Sequence, residues 1–252
     1  MSTLSIYFPK PIYIYYDPII FYKKKNIVIS NHLSEYDWLM ILAILYKLQR
    51  YDDMCIILKQ SLKNIPLLGY GMSYFGFIFL NRKLDADKEI LKKGLNILKN
   101  KQKYDLLIFP EGTYIDKVGK EISDNYVKNN PVNLKGTNFY PQEVLLPRVT
   151  GFNIIYDNLG NDMDGVIDMT LFTNPYISLP QEKYKYHKAL TDFDDRIGYS
   201  CFIEFVDKPA KKDFIFNRFK NKDEFIKKYK KVCPEGFNSL EDFITKFKKF
   251  IN

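Results

Sequence analysis

Four short apolar runs mark the first 109 residues: Asn26-Ile-Val-Ile-Ser30, Met54-Cys-Ile-Ile-Leu58, Gly76-Phe-Ile-Phe-Leu80 and Asp105-Leu-Leu-Ile-Phe109. Each is short for a helix and too continuously apolar for a strand with one wet face, so each reads as a buried strand. Segments with helical spacing separate them. Residues 34–50 carry the apolar body WLMILAILY. In 85–101, Ile90, Leu91, Gly94, Leu95 and Leu98 share one face, opposite a lysine face. Asp85 and Asp87 near its start complement the helix dipole. Strands alternating with helices predict an α/β fold, with a mixed, largely parallel sheet flanked by helices. Further strands are expected at 144–149, 165–172 and 199–206, and amphipathic helices near 221–232 and 239–251. In the last, Leu240, Phe243, Ile244, Phe247 and Ile251 line one side. The polar stretch 115–142 reads as a long loop of the functional or mobile kind. With no internal repeat and no clear linker, the simplest organisation is one domain over 1–207. A C-terminal helical extension, 208–252, is packed on it or continuous with it.

Apolar residues make up 46% of the chain and aromatics 16%, enough for a sizeable core and against disorder. Cys55, Cys201 and Cys233 are scattered and odd in number, which argues against a disulfide framework or a zinc site. The start of the chain does not read as a secretory signal, since Asp17 and Pro18 interrupt the apolar residues 12–22. The longest uncharged run, 64–81, holds Pro66, Gly69, Gly71 and Gly76. It reads as a buried or membrane-touching helix followed by a strand, rather than a span. The net charge is +8, and residues 208–252 hold thirteen Lys/Arg against six Asp/Glu. Such a tail is either a solvated helical surface or a face for nucleic acid or anionic lipid.

The segment Asn31-His-Leu-Ser-Glu-Tyr-Asp37 supports two readings. As helix punctuation, Ser34 is an N-cap and Asp37 reaches back to its amide, a loose capping box. As chemistry, His32 is a base and Asp37 its orienting carboxylate. On a continuous helix, residues five apart point about 140° apart and could not meet. If the helix starts at Ser34, however, the imidazole precedes it and can fold back over the first turn. The two readings are therefore compatible. A carboxylate on one ring nitrogen leaves the other free to take a proton. No serine or cysteine is placed as a nucleophile, so a substrate hydroxyl is the candidate for deprotonation.

A second constellation lies at the end of the fourth apolar run. Phe109-Pro-Glu-Gly-Thr113 reads as a strand, a proline stop and a turn, or as an anion-binding nest of backbone N–H groups. Arg82, after the third run, is a surface residue or a phosphate fork. Val144-Leu-Leu-Pro-Arg-Val149 is an apolar stretch broken by Pro147.

In that order, NHxxxxD, GxIFxxR, FPEGT and an apolar stretch with proline resemble the four blocks of the glycerolipid acyltransferase family. "ISNHLSEYDW", "FPEGT", "LLPRVTGF" and "NRFKNKDEFIKKY" look like its lysocardiolipin and lysophosphatidic acid acyltransferase branch. The resemblance covers roughly residues 16 to 240. It implies a glycerol-3-phosphate acyltransferase-like fold and transfer of a fatty acyl group from acyl-CoA to a lysophospholipid hydroxyl. His32 then resembles the general base and Asp37 its partner. Arg82, Glu111, Gly112 and Thr113 match positions that hold the acceptor's phosphate and glycerol. Asn31, Gly76, Phe79, Pro110 and Pro147 match supporting positions, whose plain reading is packing. No cofactor or metal is implied, because acyl-CoA enters as co-substrate. The implied partners are acyl-CoA, a lysophospholipid and an anionic membrane surface. The implied location is the cytosolic face of an intracellular membrane such as the endoplasmic reticulum, by peripheral or monotopic attachment. Two departures bear on acceptor choice: many relatives have arginine after FPEGT where this chain has Tyr114, and Leu33 replaces a common glutamine. Two rivals remain at this point. One is a non-catalytic lipid-binding protein of the same fold. The other is a nucleic-acid module, which leaves the four blocks unexplained.

Overall fold

A computed structural model describes residues 2–7, 10–66, 68–81, 84–183 and 198–251. Eight strands form one sheet: β1 (Ser2–Tyr7), β2 (Pro11–Tyr16), β3 (Lys25–Ser30), β4 (Met54–Lys59), β5 (Ile78–Leu80), β6 (Tyr104–Ile108), β9 (Gly165–Asn174) and β10 (Gly198–Asp207). Their order is β1-β2-β10-β9-β3-β6-β4-β5. Only the β1–β2 and β9–β10 pairs are antiparallel; the other neighbours run parallel. The sheet is thus mixed and mostly parallel, as the alternation of apolar runs and helices predicts.

The helices are α1 (Asp37–Lys47), α2 (Leu68–Tyr74), α3 (Leu84–Lys99), α4 (Lys117–Asn129), α5 (Val149–Leu159), α6 (Pro180–Lys183), α7 (Phe214–Val232) and α8 (Leu240–Ile251). They cover both faces of the sheet, and the strands divide their side chains accordingly. Ile27, Ile29, Leu106 and Ile108 pack with Leu91, Leu95 and Leu98 of α3, Phe152 of α5 and Phe219 of α7. Val28 and Leu107, one step along, pack with Met40, Ile41, Ile44 and Leu45 of α1. This period of two, apolar on both sides, is why these strands read as unbroken hydrophobic runs. In α3 a Cβ on Gly94 would come within 2.6 Å of Ile78 Cδ1, so the glycine lets α3 lie close against β5. The basic C-terminal helices put their aromatic sides inward. Phe219 and Tyr229 of α7 and Phe243, Phe247 and Phe250 of α8 are almost fully buried.

Three expectations are corrected here. The stretch 115–142 is not a loop: it holds α4 and a hairpin of β7 (Val132–Leu134) and β8 (Thr137–Phe139). Asp116 caps α4 by accepting from Gly119 N at 2.6 Å, but only Ser123 and Val127 are buried along it. Val118, Ile122 and Tyr126 face outward, so the sequence shows no core-facing stripe. The strand expected at 144–149 is irregular up to Arg148, and Val149 opens α5. Side chains occupy the amides a ladder would use: Leu145 N donates to Glu111 and Leu146 N to Ser123, while Pro147 has no N–H to give. Finally, α1 begins at Asp37 rather than Ser34, with Tyr36 in the N-cap position.

Candidate active site

The site lies where β3 leaves the sheet at its carboxyl end, the usual place for a ligand in an open α/β sheet. Asn31 is almost fully buried, and its side chain both donates to Leu171 O at 2.9 Å and accepts from Leu171 N at 2.8 Å. The backbone then turns, and His32 Nδ1 lies 2.9 Å from Asp37 Oδ2. The ring stacks on Phe109, centroids 4.2 Å apart, and meets the edge of Tyr114 at 5.8 Å.

Asp37 is fully buried, which a carboxylate tolerates only when its oxygens are engaged. Its Oδ2 accepts from Leu33 N at 2.5 Å and Ser34 N at 3.0 Å, and its Oδ1 accepts the Ser34 hydroxyl at 3.0 Å. Asp37 thus reaches back to the Ser34 amide, the capping-box half of the sequence reading, while also meeting the imidazole. A carboxylate is acceptor-only, so the facing ring nitrogen must be the donor. That assigns the proton to Nδ1 and leaves a lone pair on Nε2. Among the described residues no protein group is bonded to Nε2. With its hydrogen given to Asp37, the Ser34 hydroxyl takes its next hydrogen from Tyr199 OH, 3.1 Å away on β10. Tyr199 lies 165 positions along the chain, and no spacing rule could have pointed to it.

Glu111 is 3% exposed. One of its oxygens accepts from His32 N at 2.5 Å and the other from Leu145 N at 2.7 Å. Its carboxylate therefore ties the histidine turn to the segment before α5, and both oxygens are taken by backbone. Burial pushes the Glu111 carboxyl well above the usual range. The Leu145 and His32 amides pull against that push, and the charge of Asp37 adds to it. The folded chain consequently keeps this proton to higher pH than the unfolded chain, whose glutamates ionise near about 4.3. The associated stability is present below that value and is lost as pH rises through the raised folded value. Glu111→Gln, which cannot ionise, is expected to flatten the pH dependence of the unfolding free energy above about pH 4.3, read by urea titration. A slope identical to the parent's contradicts this.

The other expected residues distribute as follows. Pro110 and Pro147 are buried, and Thr113 and Gly112 are half-buried. Gly112 has φ +75°, a conformation that glycine adopts without strain. Pro110 O accepts from Arg148 N at 2.7 Å, a third tie across the loop. Phe79 is buried in β5, and Gly76, at φ +76°, precedes that strand. Arg82 lies outside the described residues. Among the described residues, no three His, Cys, Asp or Glu side chains are grouped to hold a metal ion. An open groove of about 470 Å³ runs along α4, lined by Lys117, Lys120 and Lys128 among others; it does not include His32.

Known proteins are similar to this chain over most of its length. An uncharacterized acyltransferase of Schizosaccharomyces pombe is 30% identical over 68% of this chain and 51% of its own length. Lysocardiolipin acyltransferase 1 of Mus musculus is 33% identical over 70% of this chain and 45% of its own. 1-acyl-sn-glycerol-3-phosphate acyltransferase 2 of Arabidopsis thaliana is 26% identical over 75% and 51%. The chain spans about half the length of these relatives. A family model described as Acyltransferase matches residues 9–162. That range takes in the His32–Asp37 pair, the Glu111 clasp and the segment it fastens, and on this match the chain belongs to the acyltransferase family.

Proposed function

We propose that this protein moves a fatty acyl group from acyl-CoA to the free hydroxyl of a lysophospholipid, with 1-acylglycerol 3-phosphate as acceptor and phosphatidic acid as product. The observation that carries the proposal is the His32 Nδ1–Asp37 bond, which leaves Nε2 as a proton acceptor at the carboxyl end of β3. A thioester is already activated, whereas an alcohol is a poor nucleophile until it loses its proton. His32 Nε2 takes that proton as the acceptor oxygen attacks the thioester carbonyl carbon. The tetrahedral intermediate collapses, the C–S bond breaks, and the imidazolium proton goes to the departing sulfur to give CoA. Asp37 stabilises the transient imidazolium and fixes the ring's orientation. The names of the mouse and Arabidopsis relatives support a lysophospholipid acceptor.

The acceptor resides in a membrane, and among the described residues no helix is long and apolar enough to cross one. The reading is peripheral or monotopic attachment to an anionic surface, on the cytosolic face of an intracellular membrane such as the endoplasmic reticulum. Tyr70 and Tyr74 of α2 and Phe75 just after it are 79%, 82% and 65% exposed, the kind of aromatic residue that settles at a lipid interface. The lysines of α7 and α8 add a basic surface.

The test supplies labelled acyl-CoA with a panel of lysophospholipids in anionic vesicles and reads free thiol and product mass. The expected result is thiol release with a product one acyl group heavier, fastest for 1-acylglycerol 3-phosphate. Fastest turnover of lysocardiolipin assigns remodelling instead. Thioester consumption no greater than a blank for every acceptor leaves a lipid-binding protein. The same vesicles, floated on a density gradient at low salt, should carry the protein with them.

A further inference from the structure

The chain has five arginines: Arg50, Arg82, Arg148, Arg196 and Arg218. Two of the described ones are spent within the fold. Arg50 holds Asp105 through Nε and Nη2, at 2.7 Å each, and gives Nη1 to Ile20 O. Arg218 is shared between Asp168 and Glu204. Arg148 differs in each respect. Its side chain is exposed, and among the described residues no carboxylate or carbonyl engages its guanidinium.

Its position is nonetheless firmly set. Arg148 N donates to Pro110 O at 2.7 Å, and three residues earlier Leu145 N donates to Glu111. The other oxygen of Glu111 holds the backbone of His32. A Cβ built on Gly112 would lie 3.6 Å from Cδ, Nε and Cζ of Arg148 alike. Three atoms of one plane at equal distance mean that the guanidinium end lies flat across the glycine. Gly112 follows the residue that fastens the histidine turn. A planar cation therefore rests on the loop that clasps the turn of the candidate base, with five N–H donors and, among the described residues, no internal acceptor.

We propose that Arg148 is the acceptor-recognition residue of this site and grips the phosphate of the lysophospholipid. This rests on the acyl-transfer reading above, in which the acceptor carries a phosphate close to its reacting hydroxyl. A guanidinium matches a phosphate through two parallel N–H···O bonds, which a lysine ammonium cannot reproduce. Gripping the phosphate orients the hydroxyl toward His32, so Arg148 sets acceptor choice and takes no part in proton transfer. The CoA moiety also carries phosphates, and the measurements separate the two sources.

The test compares the parent with Arg148→Ala and Arg148→Lys in steady-state assays, varying 1-acylglycerol 3-phosphate, monoacylglycerol and acyl-CoA in turn. Arg148→Ala is expected to raise KM for 1-acylglycerol 3-phosphate about 10- to 100-fold. KM for acyl-CoA and turnover of monoacylglycerol should stay within about twofold, and Arg148→Lys should recover part of the loss. Because the side chain is exposed and the tie to Pro110 is made by backbone, the variant keeps its fold. A rise in KM for acyl-CoA alone assigns the guanidinium to the CoA phosphates and overturns the proposal, as does no change in either. Calorimetric titration of parent and variant with 1-acylglycerol 3-phosphate removes the dependence on turnover. If the parent binds this lipid but transfers nothing, the acyl-transfer reading fails, and a 10- to 100-fold weaker Kd in Arg148→Ala still supports the grip. Equal affinities, or no binding by the parent, overturn it.

Discussion

His32→Ala is expected to slow acyl transfer by about 10²–10⁴-fold while the protein remains folded. The ring lies at the surface end of the core, with its side chain 16% exposed, stacked on Phe109. Its truncation removes one aromatic contact but opens no deep cavity. What disappears is, among the described residues, the proton acceptor whose tautomer the Asp37 bond fixes and whose second nitrogen is left open. Asp37→Asn should fall in the same range for a different reason. An asparagine oxygen can still accept from Leu33 N and Ser34 N, so the turn survives, but no negative charge remains to favour the imidazolium. Thiol release by purified variants, alongside their thermal melts, decides the matter. Parent-like rates in both variants would eliminate the pair as the catalytic unit.

Asp168→Ala is expected to cost about 3–5 kcal/mol of folding stability. Asp168 is buried at the centre of β9 and pairs with both Lys222 and Arg218 of α7. Lys222 is 1% exposed, and its ammonium also donates to Met169 O at 2.6 Å. Arg218 keeps Glu204 when Asp168 is removed, but Lys222 keeps only a carbonyl and the Thr170 hydroxyl. An uncompensated ammonium inside the protein is the penalty. For a chain of this size, the loss lowers Tm by roughly 6–20 °C. Asp168→Leu combined with Lys222→Met should be far less damaging, because replacing both charges removes the orphan. Calorimetric melts of the single and double variants check this. A single variant within about 1 kcal/mol of the parent contradicts it.

Legibility in the sequence followed burial. The strands β3, β4 and β6 could be located because both their faces are apolar, and α3 because its apolar residues recur at helical intervals. α4 escaped because its outward residues are the apolar ones and its inward ones are few. The segment 144–148 looked like a strand because it is apolar, yet its amides answer to side chains of Glu111 and Ser123. The meeting of His32 and Asp37 in the candidate site was legible, because they sit close enough in the chain for local geometry to be argued. The candidate site was not readable at Tyr199 or Arg148, whose relation to the turn depends on how distant segments are brought together. Glu111 illustrates the middle ground. Its neighbourhood suggested contact with a ligand, whereas its two oxygens are occupied by the backbone of His32 and Leu145.

Asn31 carries a consequence for motion. An asparagine side chain presents the same donor and acceptor as a peptide unit, and here it takes the place of one beside Leu171. β9 keeps a partner one rung past Ser30, the last paired residue of β3. The main chain can peel away early without leaving a thirsty edge behind it. The imidazole thus hangs from the stiff middle of the sheet, so fraying at the outer strands β1 and β5 is damped before it reaches that ring. Aspartate in that slot would set oxygen against oxygen at Leu171, and the hinge would loosen at its pin.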